Sequence, residues 1–247
     1  MTPGPASVIP ALEVTGLRAG YGNGGDIVCG VCFLQKPGTV LAIIGPNGSG
    51  KSTLIKTLAG LLKPRAGTIK VTGKDVSHIS PAKRVLDGMA YVPQEANVFR
   101  GMTAGENIQI TLDSLRGRPG AGQNRRDEVL ALFPDISGRS RLLAGNLSGG
   151  QRQMLAFACA MLANPDVILL DEPTAGLSPK FVTEIMAAVV RMQESGTTIL
   201  LVEQNVRAAL DVADEAIVLV GGSIRTRKPA RDLRGNDLNA LLLGKAA

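Results

Sequence analysis

Eight consecutive residues, Gly45-Pro46-Asn47-Gly48-Ser49-Gly50-Lys51-Ser52, place glycines, a lysine and a hydroxyl in the spacing G-x-x-x-x-G-K-[ST]. Glycines at such positions let successive backbone N–H groups turn inward around phosphate oxygens with no Cβ in the way. A helix beginning near Lys51 would add the positive end of its dipole to the same spot. The pattern therefore predicts a phosphate cradle in which Lys51 reaches the β- and γ-phosphates of a nucleotide. Ser52 offers its hydroxyl to Mg²⁺, and Thr53 is placed for a further phosphate contact.

A cradle of this kind needs a carboxylate on its metal side. Leu169-Leu170-Asp171-Glu172-Pro173 supplies one where an apolar run ends, and ligands of open α/β sheets collect at the carboxyl ends of their strands. Asp171 is the expected metal-side carboxylate, acting through a coordinated water. Glu172 points elsewhere and is the candidate general base for an attacking water, a role that contributes ~10²–10⁴-fold to rate.

The elements that must position these residues show in the periodicity. Val40 to Ile44 and Val167 to Leu170 are continuous apolar runs, the pattern of strands buried on both faces of a parallel sheet. Strands are further expected at Leu12 to Val14, Ile27 to Phe33, Gly67 to Val71, Met89 to Val92, Thr198 to Val202 and Ala216 to Val220. Helices are expected from Lys51 through Leu61, over Arg125 to Phe133 and over Gly149 to Leu162. Thr103 and Glu106 have capping-box spacing, which starts another helix at Ala104. Ser178 and Pro179 read as an N-cap and first helical residue. Behind them Phe181, Val182, Ile185, Met186, Val189 and Met192 recur at helical spacing, so the two methionines are core residues. Alternating strands and helices give an α/β chain with a helical lobe inserted in its middle.

Composition sets outer limits. The apolar share is 45% without repeats, which describes a folded domain rather than a disordered chain. No apolar stretch approaches the ~20 residues that span a bilayer, and Met1 to Pro5 lacks the basic and hydrophobic regions of a signal peptide, so a cytosolic chain is expected. The net charge of +6 suits nucleotide phosphates, an anionic membrane surface or nucleic acid alike. Cys29 and Cys32 form a C-x-x-C without a second ligand pair for zinc and read as strand residues in a reducing compartment. His78 is the only histidine, which removes His-rich metal sites, and it reads as a surface residue.

Leu147-Ser148-Gly149-Gly150-Gln151, standing between the phosphate loop and the Asp171-Glu172 strand end, resembles the signature of the ABC ATPases, and the resemblance covers essentially the whole chain. It implies an ABC-type nucleotide-binding domain of the α/β class. That fold has a phosphate-loop NTPase core with a mostly parallel sheet, an antiparallel β subdomain and an inserted α-helical subdomain. One domain over residues 1–247 is expected: 1–94 for the β subdomain and phosphate-loop core, 95–155 for the helical subdomain with the signature, and 156–247 for the remaining core. Physically, Ser148 can cap the following helix while Gly149 and Gly150 leave its amide end bare. In the family that end meets the γ-phosphate of ATP held by a second cassette. The resemblance thus implies ATP and Mg²⁺ as cofactors and a head-to-tail dimer whose closure turns hydrolysis into motion.

Further positions follow from the same resemblance. Tyr21 stands where the family stacks an aromatic on adenine. Gln94, in Tyr91-Val92-Pro93-Gln94, resembles the glutamine that touches Mg²⁺ and water and senses the permease, with Asn97 to Arg100 beside the permease's cytoplasmic helix. After the strand at Thr198 to Val202 the family usually has a histidine on the γ-phosphate; here Gln204 stands there, able to donate a hydrogen bond but not to shuttle a proton. Ser178 ends a loop that commonly ends in aspartate. Both departures bear on hydrolysis rather than on binding.

Thr174 to Pro179 and Leu201 to Asn205 resemble the compact ATP-binding subunit of branched-chain amino-acid importers, although the segment after Val98 lacks the paired arginines of some members. Urea and amide importers share much of the pattern. Integral permease subunits, a second and paralogous cassette, a solute-binding protein and a peripheral place on the cytoplasmic face of the inner membrane are implied. Two rival classes are a cytosolic ABC ATPase acting on nucleic acid or ribosomes and a low-turnover nucleotide-binding regulator. No long coiled coil separates Lys51 from Leu147, and one cassette is present rather than two. No nucleic-acid partner is therefore expected, and the basic cluster Arg225, Arg227, Lys228, Arg231 and Arg234 reads as a solvated face near a membrane.

Overall fold

Two sheets of different hydrogen-bonding pattern share the chain, of which the computed structural model describes residues 9–116 and 123–233. Strands β1 (Leu12–Ala19) and β2 (Val28–Gln35) form an antiparallel pair, after which the chain enters β3 (Val40–Ile44) and helix α1 (Lys51–Leu58). It returns through β4 (Ala66–Val71) and the short β5 (Lys74–Asp75), giving a four-stranded antiparallel sheet of order β2-β1-β4-β5. Helix α2 (Pro81–Leu86) then leads into β6 (Met89–Val92).

The helical lobe follows: α3 (Ala104–Ser114), α4 (Gln123–Leu132), the single turn α5 (Pro134–Ser137) and α6 (Gly149–Leu162). The chain re-enters the core through β7 (Val167–Asp171), α7 (Pro179–Glu194), β8 (Thr198–Val202), α8 (Val206–Val212), β9 (Glu215–Val220) and β10 (Ser223–Pro229). The second sheet has order β10-β9-β3-β8-β7-β6, parallel except for β10, which pairs antiparallel with β9 at the edge.

The continuous apolar runs have the predicted cause. In β3, Val40, Ala42 and Ile44 pack into one core while Leu41 and Ile43 pack into another; β7 and β8 divide in the same way. The first core lies toward α6 and α7, the second toward α1 and the antiparallel sheet. Each fully buried aliphatic side chain contributes about 1.5–3 kcal/mol, so a strand serving both cores has no polar position to spare.

Local signals set most boundaries. Thr103 and Glu106 form the expected capping box, with Thr103 Oγ1 accepting from the Glu106 N–H and the Glu106 carboxylate accepting from the Thr103 N–H. Ser178 stands at the N-cap of α7 with Pro179 behind it, but its side chain makes no capping bond. Met186 and Met192 are buried. Helix α1 is shorter than the expected run to Leu61 because Gly60 takes a positive φ of 80° and the chain turns back. The buried Arg84 closes that end, donating to the carbonyls of Thr57, Leu58 and Ser77. Burial lowers its pKa to about 10. Helix α6 is continuous across residue 155, so the helical lobe shares its last helix with the core. Cys29 and Cys32 lie exposed on β2 as free thiols, and His78 is exposed. The amino-terminal residues Met1 to Pro5 and Arg234 lie outside the described residues.

Candidate functional site

Parallel register brings the candidate residues to one edge of the sheet. Ile43 of β3 pairs with Val202 of β8, and Val202 pairs with Asp171 of β7. Beyond these three strand ends the chain continues into the phosphate loop, into Glu203-Gln204 and into Glu172, and β6, paired with β7 through Val92 and Leu170, leads to Gln94. Residues more than a hundred positions apart in the chain thus become neighbours because adjacent parallel strands end together.

The glycines of the phosphate loop are required for different reasons. A Cβ on Gly45 would stand 2.2 Å from the Leu219 carbonyl oxygen, so the loop leaves β3 hard against β9. Gly48 has open space around it but a φ of 76°, and Gly50, the N-cap of α1, has a φ of 99°. No side chain caps α1. Pro46, Asn47 and Gly48 form an exposed tip, whereas Ser49 is buried with its hydroxyl oxygen unpartnered. The rear of the loop is tied down: the Gly222 N–H donates to the Ser49 carbonyl at 2.9 Å, and the Cys29 N–H donates to the Gly222 carbonyl at 2.8 Å.

Lys51 is buried and donates from Nζ to the carbonyls of Gly45, at 2.8 Å, and Pro46, at 3.0 Å. Burial holds its pKa below the usual lysine value, opposed by the negative charges of Glu172 and Asp171. Ser52 is exposed beside it and Thr53 is buried.

Asp171 is 5% exposed and accepts a hydrogen bond from Tyr91 Oη at 3.0 Å. Burial raises its pKa first; the Tyr91 hydroxyl works against that, Glu172 adds to it, and Lys56 and Lys51 oppose it. The same burial, with Asp171 beside it, pushes the Tyr91 hydroxyl upward. Glu172 is equally buried and has a φ of 46°, left-handed backbone that non-glycine residues adopt only when their surroundings enforce it. Its N–H donates to the Val202 carbonyl, and its Oε2 accepts from Gln204 Nε2 at 2.6 Å.

The fit to a magnesium nucleotide can be judged from the chain itself. An uncapped helix start, an unpartnered buried Ser49 hydroxyl and a buried lysine suit phosphate oxygens. Among the described residues no cluster of three or more His, Cys, Asp or Glu could cage a metal ion. A metal held by phosphates, the Ser52 hydroxyl and one carboxylate is the arrangement Mg²⁺ favours, and the buried carboxylate at Asp171 fits it.

The signature residues stand on the helical lobe. Ser148 caps α6 and forms a capping box with Gln151, each side chain accepting from the other's N–H at 3.2 and 3.0 Å. Gly150 has a packing role beside the expected one: a Cβ there would lie 2.4 Å from Cδ1 of Phe181, so this glycine admits α7 against α6. A Cβ on Gly149 would meet Leu177 at 2.9 Å. Gln94 and Gly149 line one open groove of about 560 Å³, together with Arg100, Pro173 and Leu177. Tyr21 is half exposed after β1, in a loop whose carbonyls accept from Arg65.

The structure thus draws Lys51, Asp171, Glu172 and Gln204 together, and sets Ser148 to Gln151 apart on the other lobe. Sequence reasoning missed Tyr91, Thr174 and Glu203. Tyr91 carried a signal, since it stands three residues before Gln94 on a strand bound for the same edge. Glu203 carried none beyond its place next to Gln204.

The comparisons with known proteins point to one family. A family model described as ABC transporter matches residues 30–175. The chain is 41% identical over 202 residues to the probable branched-chain amino acid transport ATP-binding protein LivF of Archaeoglobus fulgidus, covering 80% of this chain and 84% of that one. It is 36% identical to the high-affinity branched-chain amino acid transport ATP-binding protein BraG of Pseudomonas aeruginosa, covering 76% and 80%. Among solved structures, the ADP conformation of MJ1267, an ATP-binding cassette of an ABC transporter, superposes with a TM-score of 0.82 at 28% identity over 96% of this chain and 99% of that one.

Proposed function

This chain belongs to the ABC transporter family, as an ATP-binding subunit, and on that premise we propose that it powers an importer of branched-chain amino acids. It is a transport-coupled ATPase and works with membrane permease components. Among its described residues no helix is long and apolar enough to cross a membrane. The cargo rests on the relatives' names; urea or amides are the alternative.

One observation carries the mechanism: Lys51, Asp171 and Glu172 converge at a single sheet edge, with Gln204 bonded to Glu172. Tyr21 supports the adenine. Gly45 to Thr53 hold the phosphates, with backbone amides around the oxygens and Lys51 moving its ammonium from the loop carbonyls to the β- and γ-phosphates. Ser52, Asp171 and Gln94 would hold Mg²⁺, which would supply positive charge beside the phosphates. Glu172 takes the proton from the attacking water, and its buried setting keeps competing water out. Gln204 fixes the rotamer of Glu172 and donates toward the γ-phosphate. Ser148, Gly149, Gly150 and Gln151 present the start of α6 to the nucleotide of a second, paralogous cassette, completing each site across the dimer. A peripheral position on the cytoplasmic face of the inner membrane, beneath the permease and fed by a solute-binding protein, follows from this reading.

The test has two parts. Glu172→Gln should bind Mg-ATP and dimerise but release no phosphate; unchanged turnover would remove Glu172 from the role. Co-purification from solubilised membranes should bring down a permease whose vesicles accumulate leucine, isoleucine or valine on addition of ATP. Accumulation of urea or an amide instead would overturn the cargo.

A further inference from the structure

Glu203 is the most deeply buried carboxylate at the site edge, 1% exposed, and it touches neither the phosphate loop nor Asp171 through any hydrogen bond. Its Oε1 accepts from the Thr174 N–H at 2.9 Å and from Thr174 Oγ1 at 2.8 Å. Its Oε2 accepts from the N–H groups of Gln204 at 3.1 Å and Asn205 at 3.2 Å. Four donors therefore converge on two oxygens. Only a carboxylate meets that demand, because an amide of the same shape would turn an NH₂ toward one pair of donors.

The two pairs of donors belong to the two loops that carry the reacting side chains. Thr174 lies in the turn Glu172 to Ala175, closed by the Ala175 N–H on the Glu172 carbonyl at 3.1 Å. Pinning Thr174 at two atoms holds that turn, and with it the left-handed backbone of Glu172. The bonds to the Gln204 and Asn205 amides set the backbone from which the Gln204 side chain reaches Glu172 Oε2. One buried carboxylate thus governs both ends of the Gln204–Glu172 hydrogen bond.

We infer that Glu203 is a positioning residue for hydrolysis, clamping the Glu172 turn to the Gln204 loop so that the base is held in register with its glutamine partner. The inference rests on the reading of Glu172 as the base. It assigns Glu203 no contact with nucleotide, so its loss should appear in kcat rather than in affinity. Displacements of about 1 Å at a reacting group cost ~10²-fold in rate, and the clamp holds Glu172 at one remove.

The test compares single-turnover phosphate release and Mg-ATP affinity in the full chain. Glu203→Gln should lower the rate about tenfold or more while leaving affinity within about threefold. Thr174→Val, which removes one donor without changing shape, should lower the rate severalfold, and Thr174→Ser, which restores the hydroxyl, should recover it. That recovery is a readout a general loss of stability would not give. Should Glu203→Gln fail to fold, the Thr174 pair decides alone. Equal rates in Thr174→Val and the unaltered chain, or a loss carried by affinity, would overturn the inference. If Glu172→Gln stops turnover while Glu203→Gln and Thr174→Val do not, only the clamp falls; if Glu172→Gln itself turns over normally, the base assignment falls first.

Discussion

Replacing Gln204 with alanine removes one well-defined interaction, the 2.6 Å donation from Nε2 to Glu172 Oε2. A hydrogen bond to a charged group is worth about 1.5–3 kcal/mol. Gln204 is an exposed residue, so water replaces part of what is lost and the lower end of that range applies. At 1.36 kcal/mol per decade this corresponds to a fall in kcat of about 10–30-fold. The Lys51 cradle is untouched, so Mg-ATP affinity should change by less than about threefold. Steady-state phosphate release and equilibrium binding of a fluorescent ATP analogue, measured on the same preparations, separate the two quantities. A loss appearing entirely as weaker nucleotide binding would mean that Gln204 serves the γ-phosphate alone, and an unchanged kcat would mean that Glu172 needs no partner to be oriented.

Three further outcomes follow from packing and burial. Gly45→Ala should abolish ATP binding measurably by calorimetry, because the added Cβ stands more than 1 Å short of ordinary contact with a backbone oxygen of the neighbouring strand; a normal isotherm would show that the loop can move off β9. Gly150→Ala should destabilise the chain by about 1–3 kcal/mol in urea denaturation through its clash with Phe181. Phe181→Leu in the same chain should recover part of that loss, whereas simple additivity would refute the contact. Two thiols, Cys29 and Cys32, should react quickly with a disulfide reagent at pH 8. Cys159, part-buried and with its pKa pushed up by desolvation to about 11, should label far more slowly than either, since its thiolate fraction at that pH is only ~10⁻³; three equal rates would contradict that shift.

Most of the frame was legible because its signals are local. Val40–Ile44, Thr198–Val202 and Gly149–Leu162 come out at the expected bounds, since each is a run of uniform character closed by glycine, a cap or a charge. What escaped is what depends on neighbours. The short α2 and α5 and the edge strand β10 carry few apolar residues, and α8 is too short for its apolar residues to show a period, so these elements take their form from packing and pairing. Helix α1 stops short of Leu61 because Gly60 turns the chain, and the turn is closed by Arg84 from outside the helix. In the site, residue types announced Lys51, Asp171 and Glu172, but nothing in Glu203 marks it as a buried acceptor until β7 and β8 align Asp171 with Val202. The packing role of Gly150 was likewise invisible before α7 was in place.

The peptide at Gly222 has a consequence for how the chain matures. Its carbonyl receives Cys29 and its N–H supports Ser49, so two early stretches of the chain meet a late one in one small knot behind the phosphate loop. A nascent chain that has already exposed its lysine, both acidic residues and the LSGGQ run still lacks that support until the β9–β10 hairpin leaves the ribosome. The brace behind the phosphate loop is therefore complete only once β9 and β10 have been made and paired.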